Sequence, residues 1–148
     1  LDSYMGSKVI SMTILALVSG ISIAILAFGY SDRYLFIAVG ILLTSLVYTL
    51  LGFASVSKYK RLDSYFSMVF LVMAISMLPL LDFFQIFETD LFYIIPSYSS
   101  IKLIYAGFVE TEIVNLLLYS GYLIVWIFIS FYLARKRFYK HIVTEGEI

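Results

Sequence analysis

The chain has 148 residues, no Cys, one Trp, and ten basic against ten acidic side chains. It is 62% hydrophobic and 14% charged, whereas soluble domains average about 45–50% apolar and about 25% charged residues. A soluble globular domain is thereby excluded, nucleic acid is disfavoured because its binders need a concentrated basic face, and a chain with no Cys and only His141 has no disulfide, thiol, triad or multi-His metal chemistry. What remains is an integral membrane protein: an all-α helix bundle in one transmembrane domain, with no catalytic residue, metal or cofactor expected.

A helix needs about 20 largely apolar residues to cross roughly 30 Å of hydrocarbon. Taken in chain order, four windows meet that length, at about 9–30, 34–57, 64–87 and 113–134. None alternates strictly, as a barrel strand would, and a chain in lipid must satisfy its backbone internally, so all four are expected to be helices. The small residues Ser19, Gly20, Ser22, Ala24 and Ala27 in the first window, and Ser120 and Gly121 in the fourth, suit close helix packing. Tyr30, Tyr34, Tyr59, Tyr65, Tyr132 and Tyr139 fall at window ends, where amphipathic rings sit at headgroup level.

Basic residues set the expected orientation. Lys8, Lys58, Lys60, Arg61, Arg135, Lys136, Arg137 and Lys140, eight of the ten, flank one side of the four windows. That side is expected to be cytoplasmic, in a bacterial or archaeal plasma membrane, with both ends of the segment there and the tail 135–148 following the last crossing. Lys58, Lys60, Arg61, Arg135, Lys136 and Arg137 read as topological anchors attracted to anionic lipid, or as a surface facing a partner. The other side has a short turn at Ser31 to Arg33 and a long connection from Glu88 to Glu112, whose ends are acidic.

That connection is no ordinary loop. Its stretch LFYIIPSYSSIKLIYAGF is too apolar for water and too interrupted for a fifth crossing. Pro96 disfavours helix at Ile95, Ser97, Ser99 and Ser100 can cap a new helix, and Ile101, Ile104, Tyr105 and Phe108 recur at helical spacing up to Gly107. Two short apolar helices hinged at Pro96 to Ser100 are expected over about 91–108, either re-entrant or lying flat on the membrane. Non-helical backbone at membrane depth needs cover from protein or from a water-filled cavity. Within this hairpin Pro96, Tyr98, Ser99, Lys102 and Tyr105 are the candidate gate residues. In the third crossing Pro79 is expected to kink the helix. Asp82 follows about 27 Å from the window's start, close to the outer interface, where a carboxylate can be hydrated or can cap the hairpin. Lys102 is a conceivable partner for it.

This order of parts resembles the C-terminal portion, third to sixth helices, of a type 2 ATP-binding-cassette (ABC) transporter permease. The stretch Tyr4 to Lys8 resembles that family's aromatic-x-x-x-Lys approach to a helix, and Pro96 resembles the Pro of its Asn-Pro motif, with Ile95 standing where Asn is usual. The resemblance implies an exporter permease in which the hairpin forms an outer gate. It implies two further helices upstream of Leu1, a second permease copy or a related one, and a separate ATP-binding subunit. This chain carries no Gly-rich phosphate loop, so hydrolysis is expected in that subunit. The rival expectations are a stand-alone four-helix accessory, assembly or immunity-type protein, and an intramembrane enzyme, for which Asp82 alone supplies no constellation.

Overall fold

The computed structural model describes residues 2–56, 59 and 61–145, and these fold into an all-helical bundle. The main helices are α1 (Asp2–Phe28), α2 (Tyr34–Val56), α3 (Leu62–Met77), α4 (Pro79–Phe83), α5 (Pro96–Tyr105) and α6 (Ile113–Glu145), with a 3₁₀ turn at Asp90–Ile94 before α5. Four helical stretches are long and apolar enough to cross a membrane: Ser3–Phe28, Tyr34–Val56, Leu62–Phe83 and Ile113–Lys140. This is the architecture of a multi-pass membrane protein.

Hydropathy marks where a helix leaves the lipid, not where it ends. The last helix accordingly runs past 134 to Glu145, and the first begins at Asp2, well before Val9. At about 1.5 Å per residue α6 spans about 50 Å, far beyond the hydrocarbon thickness. Its extension is docked at the basic end of the bundle: Arg137 Nη1 donates to the Ala54 carbonyl at 3.4 Å, and the Phe138 ring meets Phe53 edge-on at 6.2 Å. Met5, Leu50, Ala54 and Ala134 form a buried cluster there, so the N-terminal turns of α1 pack against the ends of α2 and α6.

At the opposite end, α1 stops where Gly29 adopts φ 76°, a left-handed conformation that favours glycine. A short turn then leads directly into α2, and Tyr34 Oη donates to the Gly29 carbonyl across it. Arg33 pairs with Glu110 at 2.8 Å and links this turn to the segment before α6. The pair is solvated, with side chains 38% and 89% exposed. Arg33→Ala is therefore expected to cost less than about 1 kcal/mol in unfolding experiments, and high salt is expected to erase the difference.

The third crossing breaks at Pro79, the expected kink. Pro79 has no amide hydrogen, and Leu78 N closes instead on the Ile75 carbonyl at 3.2 Å. The helix resumes for one turn as α4 and is ended by Gln85 at φ 58°, with Ile86 N returning to the Leu81 carbonyl at 2.9 Å. No residue of α3 is buried. The core instead lies where α2, α5 and α6 meet, in Val47, Leu103, Ala106, Leu116 and Leu123.

Candidate functional site

The segment between α4 and α6 descends as the 3₁₀ turn and returns as α5. Two close approaches fix its register along α2. The Cα of Gly40 faces Ile104, where a β-carbon would lie 2.9 Å from Ile104 Cγ1, and Gly107 faces Ile37, where it would lie 2.2 Å from Ile37 Cγ1. Deeper along the same line, Pro96 shares a cavity with Tyr48 and Trp126. Tyr48 is about 21 Å along α2 from Tyr34, and Trp126 about 20 Å along α6 from Ile113. The tip of the hairpin thus lies roughly 20 Å along the bundle, more than halfway down α2, and α5 climbs back antiparallel to α2.

The hinge differs in detail from the sequence expectation. It falls at Ile95, whose φ −80° and ψ 126° are extended, one residue before the expected hinge at 96–100. Pro96 takes the first helical position, for which its fixed φ is suited, so Ser97, Ser99 and Ser100 lie inside α5 and cap nothing. Ser100 Oγ bonds back to the Pro96 carbonyl at 3.1 Å, while Ser97 Oγ crosses to the Ser76 carbonyl at 2.7 Å. The buried face also differs. Pro96 to Ser100, Leu103, Ala106 and Gly107 are buried, whereas Tyr105 and Phe108 are exposed. The α5 backbone approaches α2 so closely that small residues face inward and the Tyr105 and Phe108 rings are turned out.

Polar anchoring of the hairpin and its neighbours comes from hydroxyls isolated in apolar windows, a faint signal in the sequence. Tyr48 Oη and Ser76 Oγ are hydrogen-bonded at 2.8 Å, tying α2 to α3. Tyr122 Oη donates to the Ile94 carbonyl at 2.6 Å, and Ser31 Oγ donates to the Gly107 carbonyl at 3.1 Å. The last two bonds satisfy carbonyls that the ends of the hairpin helices would otherwise leave bare.

Two dissimilar spaces flank the tip. Toward the hairpin end of the bundle is a polar cleft of about 440 Å³ lined by Asp82, Glu88, Thr89, Asp90, Tyr93 and Tyr98. On the other side, Tyr48, Leu51, Ile75, Ser76, Pro96 and Trp126 line an almost wholly apolar cavity of about 250 Å³. The candidate residues divide accordingly. Asp82 and Tyr98 meet in the polar cleft, Pro96 lies in the apolar cavity, and Ser99 is buried within α5. Pro79 is buried at the kink, and the Tyr105 ring packs edge-on against Phe83 of α4 at 5.2 Å. Lys102 makes no ion pair with Asp82: its Nζ lies 5.4 Å from the Tyr98 ring centroid, a cation–π contact, and the Tyr98 ring packs in turn against Tyr93, tilted, at 4.6 Å.

At the basic end, Arg61 is exposed just before α3, Arg135, Lys136 and Arg137 lie on the extension of α6, and Lys136 Nζ sits 5.9 Å from the Tyr132 ring. Lys58 and Lys60 fall outside the described residues. Among the described residues no cluster of His, Cys, Asp or Glu is arranged to hold a metal ion. No protein-family model, curated protein or solved structure matches the chain.

Proposed function

We propose that this chain is part of the transmembrane permease of an ATP-driven exporter of the type 2 ABC class, with the re-entrant hairpin as its outer gate. The observation that carries this reading is the depth of the hairpin tip. The turn at Ile95 and Pro96, level with Tyr48 and Trp126 and lying between a polar cleft and an apolar cavity, in this reading keeps water from the inner part of a pathway. In this reading the basic end is cytoplasmic, following the positive-inside rule, and both ends of the segment lie there. The exposed Arg61, Arg135 and Lys136 then face anionic lipid and a separate ATP-binding subunit, which supplies hydrolysis. The outward side chains of α1 and α3, among them Leu15, Val18, Phe66 and Phe70, face lipid or a second permease copy.

The test is co-expression of the polypeptide containing this chain with an ATP-binding subunit encoded beside it. A stable complex in which the companion subunit binds the nucleotide is expected. Nucleotide bound by this chain alone overturns the proposal. Because the chain has no native Cys, Tyr98→Cys also reports on orientation: a membrane-impermeant thiol reagent is expected to reach it from outside the cell, and labelling from the cytoplasm alone contradicts the gate. External labelling without any ATPase complex favours the stand-alone accessory protein instead.

A further inference from the structure

We propose that the apolar cavity beneath the hairpin tip is a binding site for the acyl chain of a bilayer lipid, divided from the groove beside it by a hydroxyl latch formed by Tyr48, Ser76 and Ser97. Three features of the cavity identify the occupant. It lies at mid-depth of the spans, where lipid tails are the surrounding medium. No charged residue lines it, and the hydroxyls at its wall, Tyr48 and Ser76, are already paired with each other at 2.8 Å, while Ser97 of α5 donates to the Ser76 carbonyl at 2.7 Å. A ligand needing hydrogen bonds finds no unpaired partner in those groups, whereas a hydrocarbon chain needs none. The volume of about 250 Å³ holds roughly eight groups of water size, at ~30 Å³ each, which corresponds to a segment of a lipid tail.

Tyr48 also lines a second, larger apolar groove of about 480 Å³, between α1 and α2, with Met12, Ala16, Ile41, Thr44 and Ile104. This groove is open at the side of the bundle, within the membrane-crossing parts of α1 and α2. Tyr48 is therefore the wall common to the groove on the α1 side and the cavity beneath the hairpin. Its bond to Ser76 holds it in place, and the bond from Ser97 fastens the hairpin to the same residue. α3, which carries Ser76, buries no residue of its own, so these two bonds are strong determinants of where it sits. When they part, Tyr48 is free to turn, and groove and cavity join into one path for a chain. The inference requires no ATPase partner, and its failure would leave the permease proposal untouched.

The only tryptophan of the chain, Trp126, lines the cavity and is a built-in reporter. The full chain is reconstituted in phosphatidylcholine vesicles whose acyl chains carry bromine at mid-length, and quenching is compared with unbrominated vesicles. Losing one hydrogen bond shifts an open–closed equilibrium roughly fivefold. Tyr48→Phe and Ser97→Ala are each expected to raise bromine quenching of Trp126 about twofold, while Ser55→Ala, whose hydroxyl bonds within its own helix at 2.8 Å, is expected to leave it unchanged. A second reporter, Phe128→Trp in a Trp126→Phe background, faces lipid and is expected to be quenched equally with and without the latch. Unchanged quenching of Trp126 in both latch variants overturns the proposal. So does a parallel rise at both reporters, which indicates a loosened bundle.

Discussion

Leu123→Ala is expected to destabilise the bundle by about 2–4 kcal/mol. Leu123 is fully buried in α6, and with Val47, Leu103, Ala106 and Leu116 it fills the junction of α2, α5 and α6. Lipid tails are as apolar as leucine, so little of the cost comes from transfer out of water. It comes from van der Waals contacts that a cavity forfeits, and these hold membrane helices together. The neighbouring Leu117 and Leu118 have the same chemistry but face outward, 68% and 64% exposed. Their alanine variants exchange protein contacts for lipid contacts and are expected to change stability by less than about 0.5 kcal/mol. Reversible unfolding in mixed micelles measures all three. Equal losses at 118 and 123 would contradict the placement of the α6 core face.

Gly40→Leu is expected to displace the hairpin while leaving the four crossings in place. A β-carbon at position 40 already meets Ile104 Cγ1 at 2.9 Å, the Ile104 backbone nitrogen at 3.4 Å and Leu103 Cβ at 3.6 Å. The isoleucine tip can rotate away from a methyl group, but the α5 backbone behind it cannot make room for a leucine. Overpacking of this kind costs about 1–3 kcal/mol. The strain is relieved most readily by moving α5, which is shorter and less anchored than α2. Ser99 is almost fully buried, so Ser99→Cys in the otherwise Cys-free chain is expected to label slowly in the native bundle and several-fold faster when Gly40→Leu is added. Unchanged labelling with unchanged helix content would show that α5 is not held against Gly40. Gly40→Ala, where only the flexible Ile104 side chain must move, is expected to fall between the two.

How legible the protein was in its sequence varies by element. The second crossing is predicted at 34–57 and found at Tyr34–Val56, because a span in lipid is selected by local hydropathy and bounded by short polar turns. The kink at Pro79 was equally legible, since a missing amide hydrogen acts on its own helix. The helix ends at Asp2 and Glu145 were not, as hydropathy is blind to a helix that continues outside the membrane. Nor was the inward face of α5. Spacing of Ile101, Ile104, Tyr105 and Phe108 marked an apolar stripe, but burial went to Ser97, Ser99, Leu103, Ala106 and Gly107. In a chain where nearly every face is apolar, size rather than polarity decides which face another helix touches.

The sequence by itself determined that this is an all-helical membrane protein, that it has four stretches long and apolar enough to cross a membrane with eight of its ten basic residues flanking one side, and that its long connection is broken at a proline. Each of these is a local consequence of composition, charge and backbone chemistry. Only the tertiary structure decided how deep that connection reaches, that Lys102 lies over Tyr98 and not beside Asp82, and that Tyr48, Ser76 and Ser97 converge from three helices. The zero net charge and the surplus of apolar residues specify the solvent. They carry no information about which hydroxyls meet, because residues 28 and 21 positions apart are brought together by packing, and packing in a lipid solvent depends on shape.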